Sequence, residues 1–281
     1  MRNLCKIEHK NILITGASSG IGEAMAYLLA KANTNLFLTG RNMDRLSAVQ
    51  DKCKAIHATG NAQYSGVTTF NEYAVQIFNV DFSDISSIDN FVSNILNNDL
   101  FFDYIILNAG ISQRALTLDT DFEVDRKIME TNYFGPVYLT KKLSGMLKSG
   151  RFVHIAVTSS ISGLFGYPLR SAYCASKHAL FGFFESLELE NKNIKVTFLI
   201  PGRINTPISK SAVLGDGSIY AKMDAGQANG MDVNKCARIA LRAITKEKHR
   251  KLIGGKELLM VYIKKFVPSL FYRLAQKTST T

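Results

Sequence analysis

An α/β fold, with one parallel sheet lying between layers of helices, is predicted by three features of the sequence. Short apolar runs of strand length alternate with longer helical patterns along most of the chain. One of those runs, Tyr104-Ile105-Ile106-Leu107, is almost unbroken in its hydrophobicity, as a strand buried on both faces requires. The first run ends in a glycine-rich turn that opens directly into a helical pattern. The 281 residues, 46% hydrophobic and 20% charged, suffice for one large core. No solenoid-type repeat and no interdomain linker interrupts them. The expectation is one domain over residues 1–255, followed by a basic, apolar tail over residues 256–281.

Asn11 to Thr15 is the first strand, and Gly16-Ala17-Ser18-Ser19-Gly20-Ile21-Gly22 is the turn after it. Glycines let a backbone turn tightly and approach a pyrophosphate closely. The helix that starts there, through Glu23 to Ala30, presents free N–H groups and a positive dipole end to the same phosphates. This combination predicts nucleotide binding and a doubly wound, Rossmann-type sheet with its site at the carboxyl ends of the strands. A second strand, Asn35 to Thr39, ends at Gly40-Arg41. An acid at that place would hold the adenosine ribose and repel a 2′-phosphate. Arg41, with Arg45 one turn on, favours NADP(H) instead, since a guanidinium pairs with phosphate in bidentate fashion.

Met43 to Lys54 reads as a helix, and His57 to Asn71 as a polar surface insertion. Ala74 to Val80 is the third strand. Asp81 after it either accepts from an adenine amino group or belongs to a helix N-cap. Ile85 to Leu96 is helical. The fourth strand, Tyr104 to Leu107, closes on the small residues Asn108-Ala109-Gly110. Phe122 to Leu147 predicts one long helix in which Asn132, among Met129, Phe134 and Val137, needs polar partners if buried, either in a functional role or as a satisfied structural kink. Phe152 to Val157 is the fifth strand, with His154 as a partnered core histidine. A helix to about Glu190, a sixth strand over Lys195 to Ile200 and the turn Pro201-Gly202-Arg203-Ile204-Asn205-Thr206-Pro207 follow. Ile208 to Gly230 is a polar loop suited to a substrate lid. A helix from Asp232 to about Ile244 and a last strand, Lys251 to Gly254, complete the pattern.

The residues able to do chemistry together are Ser160, Tyr173 and Lys177. Tyr173 and Lys177 are four apart, which stacks them on one helix face. An ammonium beside a phenol favours the phenolate, and a phenol tuned downward serves as a general acid/base near neutral pH. Ser160 stands where it can hold a substrate oxygen near that phenol. The four cysteines, Cys5, Cys53, Cys174 and Cys236, are far apart, so neither a zinc site nor a disulfide framework is expected. Free thiols fit a reducing, cytoplasmic setting. No secretory signal and no run of eighteen apolar residues is present. A net charge of +11 favours anionic partners, but no nucleic-acid recognition motif accompanies it.

The motifs Thr15-Gly16-Ala17-Ser18-Ser19-Gly20-Ile21-Gly22, Asn108-Ala109-Gly110, Asn132, Ser160, Tyr173-xxx-Lys177 and Pro201-Gly202-xxx-Thr206 occur in order. Together they make residues 10 to 255 resemble a short-chain dehydrogenase/reductase. The resemblance implies a catalytic set of Ser160, Tyr173 and Lys177, with Asn132 holding a water that links Lys177 to solvent. It implies that Gly16, Ser18, Ser19, Gly20 and Ile21 surround the cofactor phosphates. Asp81 and Phe82 would meet the adenine, and Asn108, Ala109 and Gly110 the adjoining ribose. Lys177 would bond the nicotinamide ribose. Pro201, Gly202, Ile204 and Thr206 would border the nicotinamide. The family often forms homodimers or homotetramers. The segment from His57 to Asn71 is longer than the family pattern at that place, and Ser159 competes with Ser160 for the serine role. Spacing to Tyr173 favours Ser160.

The expected function is NADP(H)-dependent interconversion of a carbonyl and an alcohol on an apolar small molecule. Ser112, Phe165, Tyr167 and parts of 208–230 are the expected pocket walls. The alternative is a nucleotide-sensing protein that keeps the fold without turnover. Such proteins usually lack the tyrosine or the lysine, and both are present here. From Leu258 to Leu274 the tail is apolar, aromatic and basic, with Pro268 in its middle. It could pack on a partner copy, fold over the cleft, or lie peripherally on a membrane surface.

Overall fold

The computed structural model of the chain describes residues 5–61 and 73–277. Its strands are β1 (Asn11–Thr15), β2 (Asn35–Gly40), β3 (Val75–Asn79), β4 (Tyr104–Leu107), β5 (Val153–Thr158), β6 (Ile194–Pro201) and β7 (Arg250–Ile253). All pair in parallel, in the order β3-β2-β1-β4-β5-β6-β7. The order reverses between β1 and β4, where Ile12 faces Leu36 on one side and Tyr104 on the other. Connections leave those two strands toward opposite faces, and a crevice opens at their carboxyl ends.

Helices cover both faces. They are α1 (Gly20–Ala30), α2 (Met43–Asn61), α3 (Ile85–Asn97), α4 (Phe122–Met129), α5 (Gly135–Lys142), α6 (Ser144–Leu147), α7 (Ser171–Glu190), α8 (Ala225–Ala228), α9 (Val233–Thr245), α10 (Leu259–Phe266) and α11 (Pro268–Lys277). Successive strand residues point to opposite faces, and the cores divide accordingly. Ile12, Ile14, Leu36, Leu38 and Ile106 pack with Met25 and Leu29 of α1 and Leu241 of α9. Leu13, Phe37, Ile105, Leu107 and Ile155 pack with Phe91 of α3, Leu139 of α5 and Phe184 of α7. This is the doubly wound single domain that the alternation of strands and helices predicts.

Four segments depart from the sequence reading. The helix after β2 does not stop near Lys54. It runs to Asn61, about two turns further, because His57 is buried beside the Tyr73 ring, 5.5 Å away. The expected insertion therefore starts later, and residues 62–72 lie outside the described residues. The long helix over Phe122–Leu147 is broken by a π-helical turn at Glu130–Phe134, with Asn132 inside it. The stretch over 208–230 is ordered by short β-bridges, Gln113 with Val213 and Ile204 with Met231, and by α8. The tail forms two helices divided at Pro268, which opens α11 where its missing N–H leaves no bond unmade.

Candidate active site

The cleft at the carboxyl ends of β1 and β4 has a volume of about 330 Å³. Its cofactor half is built on a backbone that only glycine supports. Gly16 has φ +66°, and a Cβ there would stand 2.8 Å from Cα of Ala109. The turn after β1 thus rests against Asn108-Ala109-Gly110 after β4. Thr15 ties the two together, its Oγ1 accepting from the Asn108 N–H at 2.9 Å and the Ala109 N–H at 3.0 Å. Asn108 Nδ2 donates to the Gly16 carbonyl at 3.2 Å. No side chain caps the start of α1. Its first N–H groups face the cleft beside Ser18, Ser19, Gly20 and Ile21, which line it.

At the far end Arg41, Asn42 and Arg45 line the same cleft. Arg41 reaches Asp81 at 3.9 Å, a loose and half-exposed pair that leaves the guanidinium available. Asp81 Oδ1 accepts from the Ser83 N–H and hydroxyl, at 2.9 and 2.7 Å. The N-cap of α3 is Asp84 instead, accepting from the Ser86 N–H. Val80 and Phe82 complete this wall. The cradle of glycine backbone, the uncapped helix start and the two arginines fit a phosphorylated dinucleotide.

In the other half, Ser160, Tyr173 and Lys177 line the cleft together with Pro201, Gly202, Ile204 and Thr206, and Ser160 Oγ donates to the Pro201 carbonyl at 3.4 Å. α7 presents Tyr173 and Lys177 one turn apart. Gln113 Oε1 accepts the Ala172 N–H at 3.0 Å and fixes the start of that helix. Burial pushes the Tyr173 phenol above its ordinary value, and its hydrogen bond with Ser160 and the nearby Arg170 and Arg114 cations draw it back. The Lys177 ammonium lies 5.9 Å from the Tyr173 ring centroid and donates to the Thr158 carbonyl at 2.9 Å. Burial pushes that lysine down to about 8. Ser159 is occupied elsewhere, its hydroxyl donating to the Lys177 carbonyl at 3.1 Å, so Ser160 faces the phenol.

Asn132 is fully buried. Its Oδ1 accepts the Ile111 N–H at 2.8 Å, and its Nδ2 donates to the Ile111 carbonyl at 2.9 Å and to Ser176 Oγ at 3.0 Å. Both amide hydrogens are engaged, while Oδ1 keeps a second lone pair and stands with the Lys177 ammonium beside Gly110. The side chain clips the segment after β4 to α7 across the π-helical turn.

Two site arginines escaped the sequence reading. Arg114 is buried and bonds Ser112 Oγ at 2.9 Å and the Asp224 carboxylate through Nε at 3.0 Å and again through Nη2. Arg170 stands 3.5 Å from the same carboxylate. Burial opposes ionisation of Asp224, but Arg114 and Arg170 hold its carboxyl below the usual range. The lid segment is therefore pinned by charge. Arg170, three residues before Tyr173, lay within reach of a helix-face argument; the 110-residue separation of Arg114 from Asp224 did not. Of the expected substrate walls, Ser112 and Ile208 line the cleft. Phe165 and Tyr167 turn away and pack with the tail, Phe165 against Phe271 at 5.0 Å between centroids. His154 is the core histidine expected, its Nε2 2.8 Å from Thr197 Oγ1 and its ring pushed down to about 4 by burial. Among the described residues no cluster of His, Cys, Asp or Glu could hold a metal, and no helix is long and apolar enough to cross a membrane.

Such a sheet, with a phosphate cradle and an ionisable pair meeting at its switch point, defines a dinucleotide-binding α/β protein of Rossmann type. The short chain dehydrogenase family model matches residues 10–216. Dehydrogenase/reductase SDR family member 7B of Xenopus laevis is 38% identical over 266 residues, covering 94% of this chain and 80% of that protein. Its Bos taurus counterpart is 38% identical over 278 residues, covering 98% and 82%. Two solved structures share the fold. A short chain dehydrogenase/reductase from Burkholderia phymatum in complex with NAD aligns with TM-score 0.75 and 19% identity, over 94% of this chain and 95% of that one. A short-chain dehydrogenase from Sphingobium yanoikuyae in complex with NADPH aligns with TM-score 0.70 and 22% identity, over 96% of each. The chain belongs to the short-chain dehydrogenase/reductase family, and it is an oxidoreductase of that family.

Proposed function

We propose that the chain interconverts a carbonyl and an alcohol on an apolar small molecule, using NADP(H), with Tyr173 as its acid/base. The observation that carries this reading is the convergence of the Ser160 hydroxyl, the Tyr173 phenol and the Lys177 ammonium on the cleft whose other half is the glycine turn. A nicotinamide held in that cleft supplies or accepts the hydride. Tyr173 gives its proton to the substrate oxygen in reduction and takes it back in oxidation. Ser160 Oγ, bonded to the phenol, orients that oxygen. Lys177, held by the Thr158 carbonyl, places a positive charge beside the developing phenolate. Asn132 holds the segment around Ile111 against α7, so that the cleft walls keep their spacing. Arg41 and Arg45 support NADP(H) over NAD(H), because they offer cations where a 2′-phosphate would lie. Ile111, Ile204 and Ile208 provide the apolar lining, with a substrate charge able to meet Arg170.

Replacing Tyr173 with Phe tests the reading. Turnover across a panel of ketones, aldehydes and alcohols, followed by NADPH absorbance, should fall by about 10²–10⁴-fold while NADPH binding persists. Undiminished turnover of a good substrate would overturn the assignment. NADPH binding by the unaltered chain without turnover of any panel member would do the same and point to a nucleotide sensor.

A further inference from the structure

The two C-terminal helices carry an inner side packed on the fold and an outer side that stands open among the described residues. Inward, Phe271 and Ala275 of α11 are buried against Phe165, with Tyr167 and Ile263 packed around them. Outward, Leu259, Tyr262 and Phe266 of α10 stand at i, i+3 and i+7 and are 61%, 50% and 69% exposed. Val267 and Leu270 continue that apolar stripe past the break at Pro268, 47% and 39% exposed. Contiguous exposed apolar surface of this kind marks a docking face rather than ordinary scatter.

Charge selects the occupant. From Leu258 to Thr281 the sequence contains Lys264, Lys265, Arg273 and Lys277 and no acidic residue. The cations stand beside the aromatic rings. Lys265 Nζ lies 5.3 Å from the Phe266 ring centroid, and Lys264 donates to the Tyr272 hydroxyl at 2.7 Å. A two-fold contact between copies of this face would set cations against cations without a carboxylate between them. A layer of phosphates above hydrocarbon satisfies both halves of the pattern at once, rings at the boundary and ammonium groups at the headgroups.

We propose that the α10–α11 face docks on an anionic phospholipid bilayer, lying in its interface without crossing it. The docked helices would stand beside the cleft. Tyr167, packed with them, faces Arg170 at 5.8 Å, and Arg170 lines the cleft. This inference does not depend on the reaction proposed above.

The test is flotation of the full chain with sucrose-gradient vesicles of phosphatidylcholine and phosphatidylserine in a 7:3 ratio, roughly the charge of an anionic leaflet. The chain should float with these vesicles and partition at least tenfold more weakly, on the order of one or two cation contacts, to pure phosphatidylcholine. The paired substitution Lys265→Gln with Arg273→Gln should lower partitioning about 30-fold, from roughly 1 kcal/mol for each cation near the surface. Phe266→Ser with Leu270→Ser should also release the chain. All four side chains are exposed, so melting temperature and NADPH binding should stay as in the unaltered protein. Failure of the unaltered chain to float with the anionic vesicles overturns the proposal. Equal flotation on both vesicle types overturns its electrostatic part. A dimer in light scattering that Phe266→Ser with Leu270→Ser converts to a monomer, without any vesicle binding, assigns the face to a second copy instead.

Discussion

Replacing Asn132 with Leu, a side chain of similar volume, removes three hydrogen bonds from a place that water does not reach. The Ile111 N–H and the Ile111 carbonyl both lose their partner, while Ser176 keeps its own bond from Oγ to the Tyr173 carbonyl at 2.8 Å. Each buried backbone group left unpaired costs about 1–3 kcal/mol, so the substitution should destabilise the fold by roughly 2–5 kcal/mol. At about 2–4 °C per kcal/mol for a chain of this size, the melting temperature should fall by roughly 5–15 °C. Leucine also favours a regular helix, so the π-helical turn at Glu130–Phe134 has no reason to persist. Circular dichroism and differential scanning fluorimetry read the melting point, and fluorescence titration reads NADPH affinity. A melting point within 2 °C of the unaltered protein would refute the argument that this amide clips the two segments together (that margin is under ~1 kcal/mol).

Three further outcomes follow from the charges. Arg41→Ala should weaken NADPH binding by at least ~10-fold, a loss of about 1.4 kcal/mol, and leave NADH binding within a factor of about two; isothermal titration with both cofactors checks it, and equal losses would remove the 2′-phosphate argument. Lys177 titrates near 8 when folded and near its ordinary 10.5 when unfolded, so the unfolded chain holds more protons between these values and stability should rise with pH in that window. Urea denaturation at successive pH values should show that rise, and Lys177→Met should lack it. The same ammonium is lost above about 8, so kcat/KM, which reports the free enzyme, should fall across that pH.

What the sequence discloses here is what local patterning encodes. The apolar runs placed every strand to within a residue or so, because a strand buried on both faces admits few polar side chains. The motifs located Gly16, Ser160, Tyr173 and Lys177 on one cleft because their roles depend on short spacings and on the ends of those strands. Less local features stayed hidden. A kink at Asn132 is legible from a polar residue amid apolar ones, but its π-helical form arises from the bonds of Asn132 to Ile111, 21 residues away, and leaves no mark on helical periodicity. The extra two turns of α2 depend on His57 finding cover near Tyr73, which composition alone reads as polar loop. Phe165 and Tyr167 looked like cleft walls from their position after Ser160, but the tail captures them. The balance of the Tyr173 phenol likewise depends, beside the neighbouring Arg170, on Arg114, which only the folded chain brings near.

Glu257 gives the molecule a mechanical link. Its carboxylate accepts the Arg203 N–H at 2.9 Å and the Gly255 N–H at 3.0 Å, and its side chain lies against Gly202, where any added Cβ would have to displace it. One acid thus fastens the root of the terminal helix pair to the rim that follows β6. The terminal helix pair and the cleft border at Gly202 are thereby joined through one side chain.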